Sequence, residues 1–112
     1  MSIIHIEDNQ FEEEVLQSHM PVLIDYWAEW CGPCRMLAPT IDELEQQHRG
    51  QLKVCKVDID RQPTIALTHK IMSIPTVSLY VGGKEVKRLI GLRDKAELED
   101  CIQEALAQAE QQ

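Results

Sequence analysis

The segment Val22-Leu23-Ile24-Asp25-Tyr26-Trp27-Ala28 narrows the possible folds more than any other stretch. It is apolar on both faces of the strand it would form, which marks a central strand with both sides of its sheet covered. Helices must supply that cover, and the flanking sequence offers them. Upstream, Ile3 to Ile6 reads as a short first strand. Asp8 is placed to cap a helix that turns Phe11, Val15 and Leu16 inward and Glu12, Glu13 and Glu14 to water, with Pro21 ending the unit. Downstream, a helix is expected from the cysteine pair at 31 and 34 to about Arg49, stopped by Gly50, with Pro39 kinking it.

The remaining chain continues the alternation. Leu52 to Asp58 predicts a strand and Thr64 to Lys70 a short helix. Thr76 to Val81 and Glu85 to Ile90 predict two strands joined at Gly82-Gly83, a strong hairpin signal. Lys84, Lys87 and Arg88 suit an exposed sheet edge. The last helix opens at Asp94 with Glu97 at capping-box spacing. Leu98, Cys101, Ile102, Ala105 and Leu106 then share one buried face, and a polar tail from about Ala107 is expected to fray. The order βαβαβ, helix, hairpin, helix predicts an α/β domain, parallel strands with right-handed crossovers beside an antiparallel pair. No repeat, low-complexity tract or linker divides residues 1–112, so one domain is expected.

The charge balance limits the partners. Nineteen acidic against eleven basic residues leave a net charge of −8, which repels phosphate backbones and anionic lipid. Nucleic acid and membrane surfaces are therefore excluded as expected partners. The opening MSIIHIED has neither a basic start nor an apolar run, and Val22-Leu23-Ile24 is far too short to span a bilayer. A cytoplasmic location is expected, where a close cysteine pair is catalytic or metal-binding more often than structural.

That pair is Cys31-Gly32-Pro33-Cys34, placed where the central strand ends and a helix begins. Open α/β sheets carry their chemistry at such ends. A helix N-terminus presents unpaired N–H groups and a positive dipole end, which favour a thiolate, the attacking species in thiol–disulfide exchange. Cys34 is about one turn on, close enough to strike a mixed disulfide on Cys31. Pro33 falls in the first turn, where its missing N–H does no harm. Half of a zinc site also looks like CxxC, but zinc needs two more ligands. Cys55 and Cys101 are far apart, and His5, His19, His48 and His69 form no pair at ligand spacing, so no metal is expected.

Trp30-Cys31-Gly32-Pro33-Cys34 after a strand carrying Asp25 resembles the signature of the thioredoxin family. Lys56, Ile74-Pro75-Thr76, Gly82-Gly83 and Gly91 match it at the family's spacing, so the resemblance covers nearly the whole chain. It implies a thioredoxin fold, a five-stranded mixed sheet flanked by four helices. It also implies a protein-disulfide reductase, expected to be a monomer, that holds no cofactor of its own. Electrons would come from NADPH through a separate flavoprotein, thioredoxin reductase, and pass to disulfide-containing target proteins. By the same resemblance Cys31 attacks, Cys34 resolves, Asp25 beneath Cys34 serves as its base, and Lys56 modulates that carboxylate. Pro75 is implied to be cis, against the usual preference for trans. Trp30, Gly32, Pro33, Ile74, Pro75 and Gly91 would form an apolar docking surface where an extended target segment pairs with the backbone before Pro75.

Residue chemistry adds its own expectations. A carboxylate in an apolar strand is costly, so Asp25 should be held neutral to a higher pH than usual. Trp27 is expected to pack and shield it. Lys70-Ile71-Met72-Ser73 lacks the glycines that many family members carry there, and Ser73 replaces one just before Ile74, which bears on partner preference. Cys55 and Cys101 lie outside the family pattern and are expected to be buried and inert. Two rival functions remain: a disulfide oxidase or isomerase, disfavoured by Gly32-Pro33 where oxidising relatives usually carry histidine, and a binding subunit gripping a larger assembly through the surface around Trp30 and Pro75.

Overall fold

A computed structural model describes residues 2–111. The strands are β1 (Ile4–His5), β2 (Val22–Trp27), β3 (Lys53–Asp58), β4 (Thr76–Val81) and β5 (Lys84–Ile90); the α-helices are α1 (Gly32–Gln47), α2 (Pro63–Thr68) and α3 (Lys95–Ala109). They form one five-stranded mixed sheet in the order β1-β3-β2-β4-β5. β2 lies at its centre, parallel to β3 and antiparallel to β4, as its two-sided apolarity requires. The fourth helical unit, between β1 and β2, is a 3-10 turn at Asp8–Gln10 followed by a π turn at Glu12–Leu16.

Strand alternation divides the core into two layers. On one face Leu23, Val54, Val77, Leu79 and Leu89 pack under Leu37, Ile41 and Leu44 of α1 and Leu98, Ile102 and Ala105 of α3. Leu37, Ile41 and Leu44 are at most 1% exposed, and burial of each contributes about 2 kcal/mol. On the other face Val22, Ile24, Tyr26, Cys55 and Val57 pack against Phe11, Val15 and Ile65. Cys55 and Cys101 are both buried and free, as expected.

Several local expectations change in the folded chain. Glu7, not Asp8, caps the first helical turn, exchanging hydrogen bonds with Gln10. Asp8 Oδ1 instead accepts the N–H of Ile65 at 2.9 Å, capping α2, whose own flanking Gln62 makes no such bond. Leu16, expected inside, is 39% exposed. The π turn carries the chain outward there, and Gly83 of the hairpin sits directly against the Leu16 carbonyl. α3 continues past Ala107 to Ala109, where fraying was expected, because Leu106 and Ala109 still pack on the core. Among the described residues no helix is long and apolar enough to cross a membrane.

Candidate active site

The turn from β2 into α1 builds the site. Cys31 is in extended conformation and caps α1: its carbonyl accepts the N–H of Arg35 at 3.2 Å and its own N–H donates to Ala28. Gly32 and Pro33 supply the first two helical positions, Pro33 where no N–H is needed. Cys31 Sγ accepts the N–H of Cys34 at 3.2 Å, so a sulfur occupies the capping position usually held by a side-chain oxygen. Negative charge on that sulfur in the reduced protein meets an N–H donor and the positive end of a sixteen-residue helix.

Cys31 and Cys34 are joined as a disulfide, with Cα atoms 5.2 Å apart. The bridge packs with Ala28, Trp27, Ile59 and Ile74. In this oxidation state Cys31 and Cys34 are 4% and 3% exposed, so both are buried. The apolar neighbours and the bridge itself cover both. An added Cβ on Gly32 would meet nothing within 4 Å, which leaves open space beside the bridge.

Asp25 lies on the sheet face that packs against α1 and α3. Cys34 belongs to the inward stripe of α1 with Leu37, Ile41 and Leu44, and so is turned toward that face. Asp25 is 1% exposed and its Oδ1 has no hydrogen-bond partner within the protein. Burial pushes its pKa up to about 6; the nearby Lys56 ammonium opposes the shift and Asp42 adds to it. Lys56 is the β3 residue in register with Asp25, its Nζ 3.9 Å from Oδ2. That Nζ also lies 5.9 Å from the centre of the Trp27 ring.

The Ile74–Pro75 peptide is cis. Ile74 reaches the disulfide cluster, and the Pro75 carbonyl accepts the N–H of Gly91 at 2.8 Å. Gly91 has φ +95°, a conformation that favours glycine. Trp30 is 66% exposed, and its indole N–H donates to Asp60 Oδ2 at 2.8 Å. Ile59 and Asp60, just beyond β3, therefore contribute to the site without having been singled out from the sequence. The available signal was their position at the C-terminal end of a strand parallel to β2. Among the described residues no group of three or more His, Cys, Asp or Glu side chains is placed to hold a metal ion.

Residues 2–104 match the family model described as Thioredoxin. The chain belongs to the thioredoxin family. It is 48% identical to the thioredoxin of Griffithsia pacifica over 106 residues, 95% of this chain and 97% of that one. It is 45% identical to thioredoxin 1 of a Nostoc species over 101 residues, 90% and 94% of the two chains. The bifunctional thioredoxin reductase/thioredoxin of Mycobacterium leprae is 46% identical over 95 residues, 85% of this chain and 21% of that protein. With the family's dithiol present as a bonded Cys31–Cys34 pair, the protein is a thiol–disulfide oxidoreductase that reduces protein disulfides by exchange.

Proposed function

We propose that Cys31 is the attacking thiolate and Cys34 the resolving thiol in a two-step reduction of target proteins. In the first step the Cys31 thiolate bonds to one sulfur of the target disulfide, and the other target sulfur leaves as a thiolate. In the second, Cys34 gives its proton to the Asp25 carboxylate and attacks Cys31 Sγ. The Cys31–Cys34 bond forms, the mixed disulfide breaks, and the second target sulfur departs. Two electrons have moved from the dithiol to the target. Lys56 tunes the Asp25 carboxylate, while Trp30, Gly32, Pro33, Ile74, Pro75 and Gly91 receive the target segment by strand addition.

The observation that carries the assignment is the hydrogen bond from the Cys34 N–H to Cys31 Sγ at the start of α1, which singles out Cys31 as the sulfur the helix stabilises. Electrons for the next cycle come from NADPH through a separate thioredoxin reductase, and the fusion of the two activities in the Mycobacterium leprae relative supports that partner. The protein works as a monomeric single domain over residues 1–112, in the cytoplasm, with no bound cofactor. Turnover of a disulfide-bonded protein with NADPH and thioredoxin reductase tests the assignment. Cys31→Ser abolishes turnover, whereas Cys34→Ser gives one slow attack and accumulates the mixed disulfide. Full turnover by the Cys31→Ser protein refutes it.

A further inference from the structure

The loop that delivers Ile74 to the disulfide starts from a helix end that the sequence makes awkward. α2 closes with the N–H of Ile71 on the Ala66 carbonyl at 2.9 Å and that of Lys70 on the Leu67 carbonyl at 3.2 Å, a Schellman arrangement. Such an end needs a left-handed residue, ordinarily glycine, at the position Lys70 fills. Lys70 has φ +55° and is the one non-glycine residue with positive φ among those described. A side chain with a Cβ disfavours that conformation, so something outside the helix has to hold it.

Arg88 of β5 is positioned to do so. Its Nη2 donates to the His69 carbonyl at 2.9 Å and its Nη1 to the Lys70 carbonyl at 3.3 Å. A guanidinium fork thereby spans two consecutive carbonyls at the negative end of α2. β5 is an edge strand, as its basic residues suggested, and from that edge Arg88 also reaches the end of α2. In a regular strand Glu85 and Arg88, three residues apart, would point to opposite faces. A register shift beside Leu79 and Tyr80 puts Glu85 opposite Tyr80 and Arg88 opposite Ser78, on one face. Glu85 Oε2 then accepts from Arg88 Nε at 2.9 Å and from Ser78 Oγ at 2.7 Å. Ser78 is fully buried, so this bond satisfies a hydroxyl that would otherwise be stranded and fixes the carboxylate that aims Arg88.

The far end of the loop is held as well. Thr76 Oγ1 donates to the Ser73 carbonyl at 2.6 Å, and Ile74 packs against the cysteine pair. Residues 70–74 thus run between two fixed points, Arg88 at the start and Thr76 at the end.

We propose that Arg88, oriented by Glu85 and Ser78, is a positioning residue for protein substrates. It holds Lys70 in its left-handed turn, so the backbone before Pro75 is already in place when a target segment pairs with it. The inference rests on the docking surface proposed above. A preorganised strand edge loses less conformational freedom on binding, so the effect falls on affinity for an extended protein segment. A small disulfide that needs no such edge is insensitive to it.

The test compares insulin with the small aryl disulfide dithiobis-nitrobenzoate as substrates. Arg88→Ala raises KM for insulin about fivefold, the factor corresponding to one ordinary hydrogen bond, with kcat unchanged. Its rate with the aryl disulfide stays at the wild-type value. Adding Lys70→Gly restores the insulin KM, because glycine holds the left-handed turn unaided, while Arg88→Lys, lacking the fork, does not. An unaltered insulin KM, equal losses with both substrates, or no rescue by Lys70→Gly would overturn the proposal. Wild-type protein that reduces the aryl disulfide but not insulin defeats the docking reading itself, and this inference with it.

Discussion

Asp25→Asn keeps the shape of the side chain and removes the charge that its surroundings penalise. The carboxyl is 1% exposed, has one oxygen without a partner in the protein, and meets its counter-charge at 3.9 Å. Burial therefore raises its pKa from the ordinary 3.8 to about 6 in the oxidised protein. Such a shift is worth about 3 kcal/mol. Below the unfolded value the group is neutral in both states and costs nothing. As pH rises toward the folded value, the unfolded chain releases its proton first, so the native state binds more protons and loses stability. Above the folded value the loss is complete. Urea unfolding of oxidised wild type and Asp25→Asn across that range should show a difference that grows with pH and levels off near neutrality, favouring the variant by about 3 kcal/mol. Rapid-mixing kinetics on the same variant should show slower release of the mixed disulfide with less effect on its formation. A stability difference independent of pH, with both kinetic steps unchanged, would remove Asp25 from the mechanism and refute the burial argument.

Timed alkylation of the reduced protein near neutral pH, read by mass spectrometry, should label Cys31 first and Cys34 much later. Cys55, whose thiol burial pushes up to about 12, and Cys101, raised for the same reason, should react only after denaturation; prompt native labelling of Cys101 would contradict its burial. Gly83→Ala should destabilise by about 2 kcal/mol, since Gly83 has φ +81° and a Cβ there would stand 2.8 Å from the Leu16 carbonyl oxygen. A change in the urea midpoint too small to resolve would disprove that contact.

Much of the architecture was legible because it is written in short-range patterns. The two-sided apolarity of Val22 to Ala28 marked β2 as central, and the spacing of Leu98, Cys101, Ile102 and Ala105 marked the buried face of α3. The cysteine pair was equally legible, since strand end, CxxC and helix start all lie within a dozen residues. The buried carboxylate stood out as an acid in an apolar run. Its expected upward shift is present, with burial as the largest cause.

What the sequence determined alone is therefore the set of elements, their inward faces and the dithiol, because each depends on neighbours within a turn or a strand repeat. Register decided the rest. Lys56 faces Asp25 only because β2 and β3 pair as they do, and Glu85 reaches Arg88 only through the irregularity opposite Tyr80. Asp8 looked like the cap of its own helix, yet folding brings it to α2, fifty-seven residues on. Trp30 finds Asp60 thirty residues on, and Lys70 finds Arg88 eighteen residues on. A polar group takes whichever partner the tertiary fold places within hydrogen-bonding distance, and local sequence carries no record of that distance.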